Sequence, residues 1–132
     1  MADLRVGQHA ATSVRAGGSL TFVTGNVARR PGVGMAIAGI VSAAPGLTAN
    51  LALELAPIRV NLLATGFVDT PLSASLLGDE LGQRREQLRA KLPIGRVVEP
   101  TDLAALAVHL MVNTAVTGST YDIDGGGLVV GI

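Results

Sequence analysis

The apolar positions follow a helical spacing in some stretches and a strand pattern in others. Leu47, Leu51 and Leu55 fall at i, i+4 and i+8, one stripe of an amphipathic helix. Pro57 ends that stripe, because its ring carries no N–H and clashes with the preceding turn. Ile58 to Ala64 follows as a mostly apolar run, which predicts a strand covered on both faces. Gly66 and Pro71 then mark a loop at the strand's C-terminal end. In an open α/β sheet, ligands bind at that end.

The rest of the pattern predicts further elements. Ala2 to Arg15 is a weakly amphipathic helix, with Leu4, Ala11 and Val14 on its apolar face and Gly17-Gly18 as the stop. Leu20 to Thr24 is a β-branched and aromatic strand bounded by glycines. Asn26 to Gly34 is a loop carrying Arg29 and Arg30, and Met35 to Ala56 is a long helix broken near Pro45-Gly46. In Pro71 to Leu92 an apolar stripe of Leu77, Leu81, Leu88 and Leu92 accompanies a Glu80–Arg84 pair at i, i+4. Pro100 can open a helix whose apolar face is Leu103, Leu106, Ala107, Leu110 and Met111, ending near Asn113. Gly118 to Ile123 is a last strand, closed by Gly125-Gly126-Gly127.

Composition narrows the options. The 132 residues form one domain, residues 1–132, and 48% apolar residues against 15% charged ones suffice for a core. Ten basic and ten acidic residues cancel, and no basic stripe points to nucleic acid. Cysteine is absent, which fits a cytoplasmic protein. The N-terminus has no apolar signal core. Pro31 to Leu53 holds no charge, but Pro45-Gly46 and Asn50 argue against a membrane span. A buried helix at a subunit interface is the expected use of this stretch. His9 and His109 have no metal-ligand company, so no metal is expected. Asp122 and Asp124 alternate on one strand face, which suggests either a cation or a closing structural motif.

Four ordered segments carry a family resemblance. LALELAPIRVN followed by GFVDTP, then LPIGRVVEPTDLA, then TGSTYDIDGG resemble the second half of the short-chain dehydrogenase/reductase family over residues 16 to 128. The resemblance implies an α/β fold: a partial Rossmann-like, doubly wound domain of about three parallel strands with flanking helices. It also implies that the first half of the fold, with its glycine-rich phosphate loop, is missing. In that family the loop matching Thr65 to Thr70 contacts the nicotinamide. Gly66, the Val68 backbone and the Thr70 hydroxyl are therefore cofactor-binding candidates for NAD or NADP. Thr24 stands at or beside the family's serine position and joins them. Thr65 replaces the family's proline before the glycine.

The family's proton relay is a Tyr with a Lys four residues later. One helical turn brings the ammonium beside the phenol and lowers its pKa. This sequence has one tyrosine, Tyr121, and one lysine, Lys91, in the reverse order. The two family positions fall on Ile37 and Val41, or on Ala38 and Ser42 if one residue is deleted near Pro45. No catalytic residue is assigned. Two functions are therefore expected. One is a family homologue, non-catalytic alone, acting as an assembly module in a homo-oligomer or with a complementary chain. The alternative is an NAD(P)-dependent oxidoreductase of a carbonyl or alcohol, completed by an N-terminal half.

Overall fold

The computed structural model describes residues 2–29 and 36–132. Three strands form one parallel sheet in the order β1 (Ser19–Gly25), β2 (Arg59–Thr65), β3 (Thr120–Ile123). Helix α1 (Ala2–Ser13) precedes β1, and α2 (Ala36–Val41) and α3 (Ala44–Glu54) lead into β2. Then come α4 (Pro71–Leu77), α5 (Leu81–Lys91) and α6 (Pro100–Val112) before β3, and the short α7 (Gly127–Val130) ends the chain. This is the expected α/β arrangement of three parallel strands with flanking helices.

Strand alternation assigns the two faces. On one, Phe22, Val60 and Leu62 pack with Leu51 and Ala52 of α3, and Leu20, Leu47 and Leu55 border them. The stripe that predicted this helix is thus its core-facing side. On the other face lies α6, whose Leu110 is fully buried. Arg59, one residue before Val60, reaches the α6 carbonyls of Leu110 at 2.6 Å and Met111 at 2.8 Å. Every residue of β2 except Thr65 is buried, as expected for a strand covered on both sides.

The long helix expected from Met35 to Ala56 with a break near Pro45-Gly46 is two helices, and the break lies just before Pro45, at Ser42-Ala43. The break accommodates Pro45. Pro45 lies in the first turn of α3, where its missing N–H would have had no helical acceptor. Met35 lies outside the described residues, as do Arg30 to Gly34 of the expected loop; Asn26–Arg29 forms a 3-10 turn.

The face of α1 differs from the expected one. Leu4 and Ala11 are exposed, whereas Gly7 and Ala10 are buried. A side chain at Gly7 would sit 3.0 Å from the Leu51 methyl carbons, so close packing on α3 selects this face rather than residue hydrophobicity. Met111 is likewise exposed although its spacing placed it on the α6 core stripe. Among the described residues no helix is long and apolar enough to cross a membrane.

Candidate functional site

The C-terminal ends of the three strands converge on Asp124. Its carboxylate is buried and accepts three N–H groups: Asn26 Nδ2 at 2.9 Å, Gly126 N at 2.8 Å and Leu128 N at 2.8 Å. This one side chain ties the end of β1 to the turn after β3. Gly125 and Gly126 take φ of 66° and 88° there, values that glycine adopts without strain. Asp122 is exposed whereas Asp124 is buried, and both border one open depression with Arg96 and Asp102. Among the described residues no group of His, Asp or Glu is arranged to hold a metal ion.

Gly66 follows β2 directly beside Asp124. A Cβ at Gly66 would lie 2.8 Å from the Asp124 Cβ, so a glycine lets these two loops cross. Below them opens a cavity of about 300 Å³, bordered by Gly25, Gly66, Phe67, Leu88, Leu92 and Ile132 among others. Leu88 and Leu92 come from α5 and the residue that caps it, and with Val97 they form the second apolar core. Arg84, one turn before Leu88, stands at this cavity with its guanidinium 5.9 Å from the Phe67 ring centre. The expected Glu80–Arg84 ion pair is not formed among the described residues; the arginine turns to the ring instead.

Thr24 lies at a different depression. A cavity of about 200 Å³ is bordered by Thr24, Gly25, Asn26, Val41, Ser42, Pro45 and Ala64. Val41 and Ser42 are the two alternative family-lysine positions. The helix end therefore still stands beside Thr24, but neither residue there carries an amine. Ser42 Oγ donates back to Gly39 O at 2.6 Å. Ala38, the tyrosine position in the second register, is a buried methyl group. Ile37 has no described side chain. Tyr121 on β3 and Lys91 on α5 border neither cavity.

The rest of the loop turns outward. Val68 bridges to Val98 in parallel, and Asp69 N donates to Val98 O at 2.9 Å. Thr70 caps α4: its Oγ1 accepts from Ser73 N at 3.1 Å, while Thr70 N donates to Ser73 Oγ at 2.9 Å. Pro71 occupies the first helical position, where no donor is lost. Thr70 borders a third, open depression with Asp69, Arg85 and Glu99. Asp69 accepts two bonds from Arg85, at 2.7 and 2.9 Å, and this fork holds α5 against the loop. The Arg85 hydrogen bonds keep the Asp69 carboxyl below the usual carboxylate range, against the opposing effect of burial. Thr24, Gly66 and Thr70 thus border three different depressions, of which the first two adjoin at Gly25 and Asn26.

Sequence reading missed Arg84 and Asn26. Arg84 was assigned to a helix-surface pair, and Asn26 was one polar residue in a loop. The available signal was a cation, Arg84, inside the stretch 71–92 and an aromatic residue, Phe67, shortly before it.

Comparison with known proteins agrees with this fold. The family model described as enoyl-(acyl carrier protein) reductase matches residues 4–127. The human dehydrogenase/reductase SDR family member 4 is 38% identical over 117 residues, covering 85% of this chain and 41% of the human protein. A crystal structure of a small-chain dehydrogenase in complex with NADPH superposes with a TM-score of 0.88 at 31% identity, over 96% of this chain and 58% of that one. An NADPH-bound short chain oxidoreductase of Pseudomonas aeruginosa PAO1, described as containing an atypical catalytic center, gives 0.72 at 26% identity over 85% and 46%. The chain spans less than half the length of the curated relatives it matches. With its family model covering nearly all of the sequence and its three strands superposing on these enzymes, the chain belongs to the short-chain dehydrogenase/reductase family.

Proposed function

We propose that this chain is a short-chain dehydrogenase/reductase homologue that does not transfer hydride by itself and acts as an assembly module, with a second copy or with a complementary chain. One observation carries the reading. The cavity beside Thr24 is lined by Val41 and Ser42, and Ala38 is a buried methyl, so no phenol–ammonium pair faces Thr24 in the register that places them there. A hydroxyl alone has a pKa far too high to exchange a proton near neutrality.

A second reading has its own support. Both solved neighbours described above hold NADPH, and one has an atypical catalytic center. On that reading the chain supplies the nicotinamide end of an NAD(P)-dependent oxidoreductase of a carbonyl or alcohol, and additional sequence supplies the nucleotide cradle. The residues fit the cofactor only in part. Gly66 leaves an open turn at the cavity, but the Thr70 hydroxyl is engaged in the α4 cap. Such a cofactor would supply hydride; this chain's part would be to orient the nicotinamide through the loop 65–70.

Titrating the purified chain with NADPH and reading its fluorescence tests the assembly reading. The assembly reading expects no saturable signal up to about 1 mM, a Kd corresponding to about −4 kcal/mol. Saturation in the micromolar range would reject it in favour of the second reading.

A further inference from the structure

Beyond hydride transfer, the structure assigns a small-ligand site to Arg84 and the apolar cavity beneath it. We propose that it binds a monocarboxylate with a short apolar tail. Three features of the cavity lead there. First, its floor and walls are largely hydrocarbon: Phe67, Leu88, Leu92 and Ile132. At about 300 Å³ it lies at the small end of ligand pockets, which suits a tail of a few carbons.

Second, Arg84 is half-buried and forms no ion pair or hydrogen bond among the described residues; its one recorded partner is the Phe67 ring. The next residue shows the contrast. Arg85 spends its fork on Asp69, and Arg96 spends its own on Asp102. Arg84 keeps the same planar fork available, held over an aromatic face that restricts it. A carboxylate is the group that such a fork accepts in two parallel bonds.

Third, Arg84 is the one cation among the described residues that border the cavity, and Asn26 and Thr65 add neutral polar groups. Asp124 also borders it, but both of its oxygens already accept N–H groups from Asn26, Gly126 and Leu128. Its negative charge repels a carboxylate from that end. The head group is therefore directed to Arg84, and the tail fills the apolar interior. The inference does not need a nicotinamide half, so it stands or falls apart from either reading above.

Isothermal titration of the full chain with hexanoate and with 1-hexanol tests it. Saturable hexanoate binding is expected, with hexanol at least about tenfold weaker, because it lacks the charge that the fork recognises. Arg84→Gln, checked for native circular dichroism, should lower hexanoate affinity at least about tenfold, while Arg89→Gln on the same helix should leave it unchanged. Equal binding of hexanoate and hexanol by the unaltered chain, or no saturable hexanoate binding up to about 10 mM, would overturn the proposal without any variant. So would an Arg84→Gln protein that binds hexanoate as the unaltered chain does.

Discussion

Arg59 is 7% exposed yet meets no carboxylate among the described residues. Its guanidinium donates instead to main-chain oxygens of Leu110, Met111 and Asn113 at 2.6 to 2.8 Å, and more weakly to Val116 at 3.4 Å. These carbonyls belong to the last turn of α6 and the chain just beyond it, where a helix leaves acceptors without intrahelical donors. The positive charge also meets the negative end of the helix dipole. Asn61, two residues on, continues the same work by donating to Val116 O at 3.1 Å and accepting from Ser119 N at 3.2 Å. Arg59→Met would keep the stem's packing but leave several buried carbonyls unpaired. The expected loss is on the order of 3 kcal/mol, since hydrogen bonds to a charged group contribute about 1.5–3 kcal/mol each and are not additive. Arg59→Lys should recover only part of it, because one ammonium cannot span acceptors that a fork reaches. Urea denaturation checks both: the midpoint should fall in the order unaltered chain, Lys, Met, with an unchanged slope. A Met variant as stable as the unaltered chain would show that the carbonyls find other donors.

At the level of elements, α6 starts as firmly as it ends. Glu99 is its N-cap and Asp102 stands at the third helical position, with Glu99 N donating to Asp102 Oδ2 at 2.9 Å. Arg96 adds a fork to the same carboxylate at 2.7 and 2.8 Å. The Arg96 hydrogen bonds and then the Glu99 N–H lower the Asp102 pKa to about 2, against the opposing effect of burial. The folded pKa therefore lies below the ordinary aspartate value of 3.8. The favourable contribution is complete above that value and is lost as pH falls through about 2. A carboxyl-carbon NMR titration should give a midpoint near 2 for Asp102, and Arg96→Gln should move it up towards 3.8. A midpoint near 3.8 in the unaltered chain would mean that the fork is not held in solution. The start of this helix was legible in Pro100 and its end near Asn113, because caps and periodicity are local signals. The strands at Leu20, Ile58 and Gly118 were legible for the same reason. Asp124 was visible as part of a closing motif, and two of its partners, Gly126 N and Leu128 N, are local. The Arg59 contacts and the Asn26–Asp124 bond were not legible, because they span 51 to 57 and 98 residues and no local pattern encodes such a distance. The face of α1 was misread because the contact that decides it, Gly7 on Leu51, depends on having no side chain at all. For the site, the loop at Gly66 was visible from the family segments, whereas the turn of Arg84 onto Phe67 emerges only when α5 packs.

At the scale of the molecule, the sheet is covered unevenly. Strand β2 has a neighbour on each side, but β1 pairs with β2 alone among the described residues, and Val23 on it is 60% exposed. An edge of this kind presents unpaired N–H and C=O groups to another chain. The outward side of α2 and α3 adds Ile40 at 73% and Leu53 at 80% exposure. Neither helix carries a charged residue before Glu54, so little polar chemistry holds that surface in water. Covering one such leucine is worth about 1.5–3 kcal/mol. Two copies meeting through a twofold axis would bury it twice, since both surfaces are the same patch. The assembly reading therefore expects sedimentation equilibrium to give a dimer or larger species at micromolar concentration. Leu53→Glu places a charge in that patch without touching the core, and should weaken self-association at least about tenfold while leaving the thermal transition of the separated chains in place. If the unaltered chain sediments as a monomer at those concentrations and stays folded, copies of this chain do not cover the patch, and a complementary chain becomes the remaining occupant. If Leu53→Glu associates as tightly as the unaltered chain, contact runs through the β1 edge rather than through the helices.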